Sequence, residues 1–358
     1  MSSSLPKAGT IPCESIYSSG NKQGQTCTEV ARYYSKGKEG NNIYYCGIHS
    51  DKSSRKELPK LNKQEKIQRQ KEVDEKHELT ILEEKQKRIE KKEKGIVITH
   101  KMRMMHNVIQ KPGYRDYFPN FRHANHPGGI GCATLSPKSL FIVKHGQPGL
   151  PDAQNIENMH QSCKKYKWET REEFNKHRIA FYLSSFAYRH KTKQTCQEAL
   201  GKLEEEKKSS KRKREEKEKE EDKIWEYFVW RDQDGKEYEL DICASRQFYC
   251  NFYENYVSNL PEFLFMKKKL EEGENMRICG YDAFEINKDN YISLYLNPDQ
   301  SFGHELLLWT LLNIEDSSKW PWRMFRTFSL PLESLKESTI PPCKLKWDEI
   351  RKLYTLDI

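Results

Sequence analysis

The pattern of apolar positions separates a loop-rich start, two charged runs and two longer stretches that are rich in aromatic residues. Between residues 51 and 95 the apolar residues are sparse and irregularly spaced among Lys, Glu, Gln and Arg, which predicts a solvated helix without a heptad seam. We interpret this run as a charged helical connector, with a partner-binding helix as the alternative. The hypothesis implies that removing residues 1–95 leaves a folded domain.

The clearest amphipathic pattern runs from Asn155 to Tyr166 and predicts one helix. At 3.6 residues per turn, polar side chains share one face and apolar side chains share the other. The polar face consists of Glu157, His160, Gln161 and Lys164, and the apolar face of Ile156, Met159, Cys163 and Tyr166. Periodicity alone is equally satisfied by a surface helix whose polar stripe faces water.

A second charged run, residues 202–223, interrupts the later apolar pattern. Its basic tetrad Lys211–Arg214 occurs within alternating Lys and Glu, so we interpret the run as an exposed insertion, with a nuclear-localisation signal as the alternative. The following segment, 225–240, predicts a β-hairpin around the turn dipeptide Asp234-Gly235. Ser245 is then a candidate N-cap for an aromatic helix, and Pro261 is suited to begin the next helix.

The first 50 residues are rich in Gly, Ser, Thr and Tyr and hold three of the ten cysteines. Such a segment buries too little apolar surface to fold without additional cross-linking, for example by a bound metal ion. Cys46 and His49 are spaced as in one half of a tetrahedral zinc site, whereas Cys13 and Cys27 are too far apart to form a second short pair. We predict a structural zinc bound by all four residues, with ordinary reduced cysteines as the alternative.

Composition narrows the class of protein. The 358 residues allow one large domain or two ordinary ones, and no apolar run approaches the length of a membrane span or a signal peptide. We therefore expect an intracellular protein that has no membrane partner. The net charge of +9 is modest, and Lys and Arg alternate with Glu in both charged runs, so nucleic-acid binding is only weakly supported.

The Phe-Pro-Asn-Phe segment at 118–121, followed along the chain by the spacing of Glu157, Gln161 and Lys164, resembles two motifs of the NADAR family of N-glycosidases. Glu157, Gln161 and Lys164 reproduce its E-x-x-x-Q-x-x-K spacing, and the Phe-Pro-Asn-Phe segment at 118–121 is similar to its F-S-N-F segment. Downstream, residues 248–282 resemble the family's helix, glycine turn and short strand.

The resemblance ends in a segment from Gly303 to Leu312 that is similar to the family's glycine-rich loop and last helix, and it covers about residues 113–312. The chain departs from the family in three places: the gap between Asn120 and Glu157 is longer, His160 replaces a usual aromatic residue, and the charged insertion interrupts the middle.

The resemblance implies an α+β, mainly helical NADAR-like domain at 96–358. We expect the zinc-stapled Cys/His module at 1–50 and the charged helix at 51–95 to precede it. It implies a hydrolase acting on a ribosyl N-glycosidic bond in a nucleotide or an ADP-ribose-like small molecule. Breaking that bond builds positive charge on the sugar, which a carboxylate stabilises. The predicted catalytic residues are Glu157, Lys164 and Asp282, with a structural role in a turn as the alternative for Asp282. The predicted substrate-binding residues are Asn120, Phe121, His160, Gln161 and Tyr281.

The whole chain, with its Cys46/His49 module, also resembles uncharacterised proteins of large DNA viruses. This likeness suggests the host cytoplasm, with the nucleus or the virion as alternatives. It also supports a second hypothesis, a non-enzymatic viral interaction or virion protein that binds partners or nucleic acid through the metal module and the charged helices. Convergence of Glu157, Lys164 and Asp282 on one pocket would favour the enzyme, and their dispersal would favour the interaction protein.

Overall fold

A computed structural model describes residues 12–15, 27, 31–36, 42–46, 56–60, 62–103, 108–139, 142–184, 193–204, 225–300, 302–330 and 343–358. The chain divides into two compact units, residues 1–76 and residues 77–358. His49 and the insertion beyond residue 204 lie outside the described residues. Among the helices that the structure describes, none is long and apolar enough to span a membrane.

The smaller unit contains a three-stranded antiparallel sheet in the order β2-β1-β3. The strands are β1 (Tyr33–Lys36), β2 (Asn42–Tyr45) and β3 (Lys56–Glu57). Helix α1 (Lys63–Glu90) then begins at a capping box, in which Asn62 and Glu65 each accept a 2.9 Å hydrogen bond from the other's backbone N–H. The division between the two units falls within α1.

The second half of α1 belongs to the larger unit and is bonded to it. Arg115 donates from its two terminal nitrogens to the carboxylate of Glu78, at 2.8 and 2.6 Å. Lys85 forms an ion pair with Glu272 at 3.1 Å, and Ile81 is only 1% exposed. The run predicted as a connector at 51–95 therefore contributes core and surface contacts to the larger unit.

The larger unit holds a four-stranded sheet in the order β4-β10-β5-β6, in which every neighbouring pair is parallel. Its strands are β4 (Val97–Lys101), β5 (Arg115–Phe118), β6 (Ile130–Gly131) and β10 (Met276–Gly280). Within this sheet the carboxylate of Asp116 accepts hydrogen bonds from the guanidinium of Arg277.

A second, five-stranded sheet has the order β11-β12-β9-β8-β7. Its strands are β7 (Lys164–Tyr166), β8 (Trp225–Arg231), β9 (Glu237–Leu240), β11 (Lys344–Asp348) and β12 (Leu353–Asp357). Strands β8 and β9 form the predicted hairpin, and Gly235 adopts a φ of +84° in its turn. The hairpin prediction is confirmed.

The remaining helices are α2 (Ile156–Ser162), α3 (Arg171–Leu183), α4 (Lys193–Glu204), α5 (Ile242–Val257), α6 (Pro261–Glu271), α7 (Tyr291–Leu296), α8 (His304–Asn313) and α9 (Pro321–Met324). The described residues thus form a mixed α/β structure in which three sheets accompany the helices. Pro261 is the first residue of α6, as predicted.

Helix α5 is buried along most of its length and lies at the centre of the core. Phe248 stacks on Trp230 of β8, with ring centroids 3.9 Å apart. The predicted cap, Ser245, is wrong: Asp241 caps the helix by accepting a 2.7 Å hydrogen bond from the Ala244 N–H. Ser245 lies one turn inside the helix, where its hydroxyl donates to a backbone carbonyl.

We expect the boundary of an independently folding unit at residue 76 and not at residue 95. A chain of residues 77–358 should melt cooperatively, whereas a chain of residues 96–358 should melt at a clearly lower temperature. The physical reason is the loss of the second half of α1, since burial of Ile81 alone stabilises by roughly 1.5–3 kcal/mol. The measurement is thermal unfolding of both chains by circular dichroism.

Two point variants of the full chain provide the matched control. Ile81→Ala should lower the free energy of unfolding by about 2–4 kcal/mol, while Leu82→Ala, at a position 51% exposed, should change it by less than ~1 kcal/mol. Equal melting temperatures for the two truncated chains would show that α1 is a spacer.

Candidate active site

Helix α2 presents the polar face that the sequence pattern predicts. The Asn155 side chain caps the helix by accepting a 2.7 Å hydrogen bond from the Asn158 backbone N–H. Ile156 and Met159 are completely buried, which anchors the apolar face in the core. The opposite face, with Glu157, therefore borders a cavity.

Lys164 does not lie on this helix, so the prediction of one helix from Asn155 to Tyr166 is wrong. Helix α2 ends at Ser162, and Lys164 begins strand β7. The cause is sheet pairing, because β7 is bonded antiparallel to β8 and its backbone groups are used there. Lys164 nevertheless borders the same cavity as Glu157.

Two loops at one edge of the parallel sheet supply four more of the predicted residues. Asn120 and Phe121 follow the end of β5, and Tyr281 and Asp282 directly follow β10. Because β5 and β10 are parallel neighbours, both loops leave the sheet at the same edge. Residues that are distant in the sequence are thereby brought together.

These segments surround a cavity of about 510 Å³. All eight residues predicted from the sequence to be catalytic or substrate-binding border it: Asn120, Phe121, Glu157, His160, Gln161, Lys164, Tyr281 and Asp282. Sequence analysis missed several other bordering residues that carry chemistry: Lys138, Arg246, Tyr249 and His304.

The carboxylate of Glu157 is oriented by its own helix. The side-chain amide of Gln161, one turn along α2, donates a 3.0 Å hydrogen bond to Glu157 Oε1. On the facing loop, the Ser136 hydroxyl donates to Asn120 Oδ1 at 3.2 Å. The Lys164 ammonium lies over the Trp225 ring, 5.4 Å from its centroid. Charged and amide groups of the cavity are thus held by local contacts before any ligand enters.

His160 is held as a neutral imidazole. Its ring lies 5.3 Å from the Phe228 ring and 5.2 Å from the Tyr249 ring, measured between centroids. Burial lowers the pKa of His160 well below its usual value, and the nearby cations Lys164 and Arg246 lower it further. Its Nδ1 atom is buried and has no hydrogen-bond partner among the residues that the structure describes.

Tyr249 contributes a phenol that stays protonated. Burial raises its pKa well above the usual value, and the carboxylates of Glu157 and Glu305 add to this shift. A neutral phenol beside a carboxylate is a hydrogen-bond donor available to a ligand.

Arg246 of α5 is a buried cation at the cavity wall, with 1% of its surface exposed. It donates to the backbone carbonyls of Leu294, Tyr295 and Gln300. A guanidinium has five N–H donors, and its Nε has no acceptor within the described part of the chain. The sequence signal for this residue is that it is the single basic side chain in α5, a helix rich in aromatic residues.

A further carboxylate, Glu305, is buried next to the cavity residues Gly303 and His304. Glu305 is 1% exposed, and two glycines leave the space it occupies. A Cβ atom at Gly280 would lie 1.7 Å from Glu305 Oε1, and a Cβ atom at Gly303 would lie 2.3 Å from Oε2. Any larger residue at either position would displace this carboxylate.

The aromatic residues of the two sheet-edge loops meet at the cavity. The rings of Phe121 and Tyr281 form a T-shaped pair with centroids 5.9 Å apart, and Tyr281 is 39% exposed. An exposed ring at the edge of a cavity offers a surface on which a planar base can stack.

The smaller unit contains a separate cluster of thiols. Cys13, Cys27 and Cys46 are buried, and their Sγ atoms all lie within 4.8 Å of one another. The Sγ atoms of Cys27 and Cys46 are 3.9 Å apart, close to the roughly 3.8 Å between two sulfurs that bind one tetrahedral zinc. These three residues can hold a metal ion. The predicted fourth ligand, His49, lies outside the described residues.

Comparisons of this chain with protein-family models, with curated proteins and with solved structures find no match. The likeness to the NADAR family therefore depends on the motifs described above.

Proposed function

We propose that the protein is an N-glycosidase-like hydrolase that cleaves a ribosyl N-glycosidic bond in a nucleotide or an ADP-ribose-related substrate. The observation that carries the proposal is the convergence of Glu157, Lys164 and Asp282 on one cavity. Dispersal of these residues is the arrangement expected of a non-enzymatic interaction protein, so the convergence favours the enzyme. The motif resemblance to the NADAR family supports the same reaction class.

Glu157 is the proposed catalytic carboxylate. Cleavage of the bond between C1′ and the base nitrogen develops positive charge on the ribose ring, and a carboxylate beside C1′ stabilises that charge or activates the attacking water. The Gln161 amide holds Glu157 Oε1 at 3.0 Å, which keeps the carboxylate in one orientation before the substrate binds. Asp282 and Lys164 complete the set of charged groups around the reacting atoms.

The size and charge of the cavity support a nucleotide. Its volume of about 510 Å³ lies in the range of small-molecule sites, roughly 300–1,000 Å³. Lys138, Lys164 and Arg246 border it, and such cations bind phosphate oxygens. The exposed ring of Tyr281 supplies a stacking surface for the base.

We expect Glu157→Gln to lower the release of free base from a nucleotide or an ADP-ribosylated base by ~10²-fold or more, because it removes the charge that stabilises the sugar cation. The melting temperature should stay nearly unchanged, because the amide has almost the same shape. The measurement is base release by chromatography across a panel of nucleotides and ADP-ribosylated bases.

Glu172→Gln provides the matched control for this prediction. Glu172 is exposed on α3 and is not among the residues that border the cavity, so the same chemical change there should leave the rate unaltered. Equal rates for wild type and Glu157→Gln would remove Glu157 from the mechanism.

For the smaller unit, we propose a structural zinc bound by Cys13, Cys27 and Cys46, with His49 as the fourth ligand. The close approach of three buried thiols supports a soft metal ion. Four protein ligands leave no open position for water, so the metal would stabilise the fold and take no part in catalysis.

Protein purified without chelator should contain about one zinc per chain. Cys46→Ser should lose most of the metal, because a hydroxyl is a far weaker zinc ligand than a thiolate. Cys343→Ser is the control, since Cys343 lies in the larger unit and donates to the Met324 carbonyl. The measurement is elemental analysis of the three proteins, and metal-free wild type would refute the site.

A further inference from the structure

The first two residues of α8, His304 and Glu305, form a buried pair, of which His304 borders the cavity. His304 is 4% exposed and borders the cavity, and its ring lies 5.7 Å from the Tyr253 ring, measured between centroids. The Nε2 atom of His304 is buried and finds no hydrogen-bond partner among the described residues. Its Nδ1 atom lies 3.6 Å from Glu305 Oε2, within the range of an ion pair.

Stability does not explain the carboxylate of Glu305. Its Oε2 atom is buried, and the described chain offers it no hydrogen bond. Leaving one buried carboxylate oxygen without a donor lowers the stability of a fold. The chain nevertheless keeps two glycines, Gly280 and Gly303, where any Cβ atom would collide with this group. A destabilising group that two glycines accommodate indicates a role beyond stability, and its neighbour His304 borders the cavity.

We propose that His304 is the proton donor to the leaving base and that Glu305 is the positioning residue that orients its imidazole and stabilises the imidazolium. This inference rests on the proposed function. It assigns the acid of the reaction, for which the sequence motifs offered no residue, and it implies a substrate whose base needs a proton to leave.

The step balances as a hydrolysis. The C1′–N bond breaks with both electrons going to the base nitrogen, which takes a proton from His304 Nε2. A water oxygen bonds to C1′ and gives its proton to the Glu157 carboxylate. Solvent then carries one proton away from Glu157 and returns one to His304, so the net reaction adds H to the base and OH to the sugar.

The other histidine of the cavity is poorly suited to this role. Burial and the cations Lys164 and Arg246 hold the pKa of His160 well below its usual value, so His160 stays neutral and is a poor proton donor. The Nδ1 atom of His304 instead lies 3.6 Å from the Glu305 carboxylate.

The test compares two kinds of leaving group. A purine or pyrimidine ribonucleotide needs its base protonated, whereas a pyridinium ribonucleotide releases a neutral base without a proton. His304→Gln should lower kcat/KM for the first substrate by ~10²-fold and leave that for the second within ~3-fold. Glu305→Gln should show the same selectivity with a smaller loss, and its melting temperature should equal or exceed that of wild type.

His123→Gln is the control, because His123 is exposed and is not among the residues that border the cavity. Equal losses on both substrates, or no loss on either, would overturn the proton-donor role while leaving Glu157-dependent hydrolysis intact. Failure of wild type to hydrolyse either substrate would overturn the proposed function itself, and the role of His304 with it.

Discussion

The ion pair between Asp116 and Arg277 aligns strands β5 and β10, and the loops that follow these strands supply one wall of the cavity. The two residues are direct partners in the register of β5 and β10, and Arg277 donates to both carboxylate oxygens at 2.5 and 2.6 Å. On its other side Asp116 is 2.6 Å from His126 Nε2. Burial favours a raised pKa for Asp116, but hydrogen bonds from His126 and Arg277 outweigh it and hold the pKa below its usual value.

Such a pair specifies the alignment of the strands more than it stabilises them. Burial removes the hydration free energy of the carboxylate and the guanidinium, and their electrostatic attraction only partly offsets that loss. A shift of strand register, however, would leave both charges buried and unpaired. The alignment determines where each strand ends. It therefore brings Asn120 and Tyr281, at the carboxyl ends of β5 and β10, to the same edge of the sheet.

Helices α2 and α5 form the facing wall of the cavity. Their positions depend on a different constraint, which is the burial of one side of α2 and of most of α5. Anchoring α2 by Ile156 leaves Glu157 at the cavity, and anchoring α5 by Phe248 leaves Arg246 there. The cavity thus receives carboxylates and cations from elements whose other faces are fixed by apolar packing. This rigidity is what a site needs if its charges are to be positioned before the substrate binds.

Local patterns in the sequence predicted local structure well. The 3.6-residue period identified the buried and polar faces of α2, and the Asp-Gly dipeptide located the hairpin turn, because both signals arise from neighbours in the chain. The period also placed Lys164 on α2, where it failed, since the strand that pairs with this segment, β8, is distant in the sequence. Non-local pairing overrides helix periodicity in this way. Glu305, the neighbour of the cavity residue His304, shows the same dependence on a distant partner. It has the local pattern of an ordinary first-turn acid of a helix, and Gly280 of the distant strand β10 leaves part of the space that its carboxylate occupies.

The most direct test of the proposed reaction is a crystal structure of the Glu157→Gln variant with ADP-ribose bound. We expect the ligand in the 510 Å³ cavity, with the anomeric carbon of the ribose within about 3.5 Å of the side chain at position 157, as a reacting geometry requires. Ligand density outside this cavity, or an anomeric carbon facing away from position 157, would contradict the assignment of Glu157 as the catalytic carboxylate.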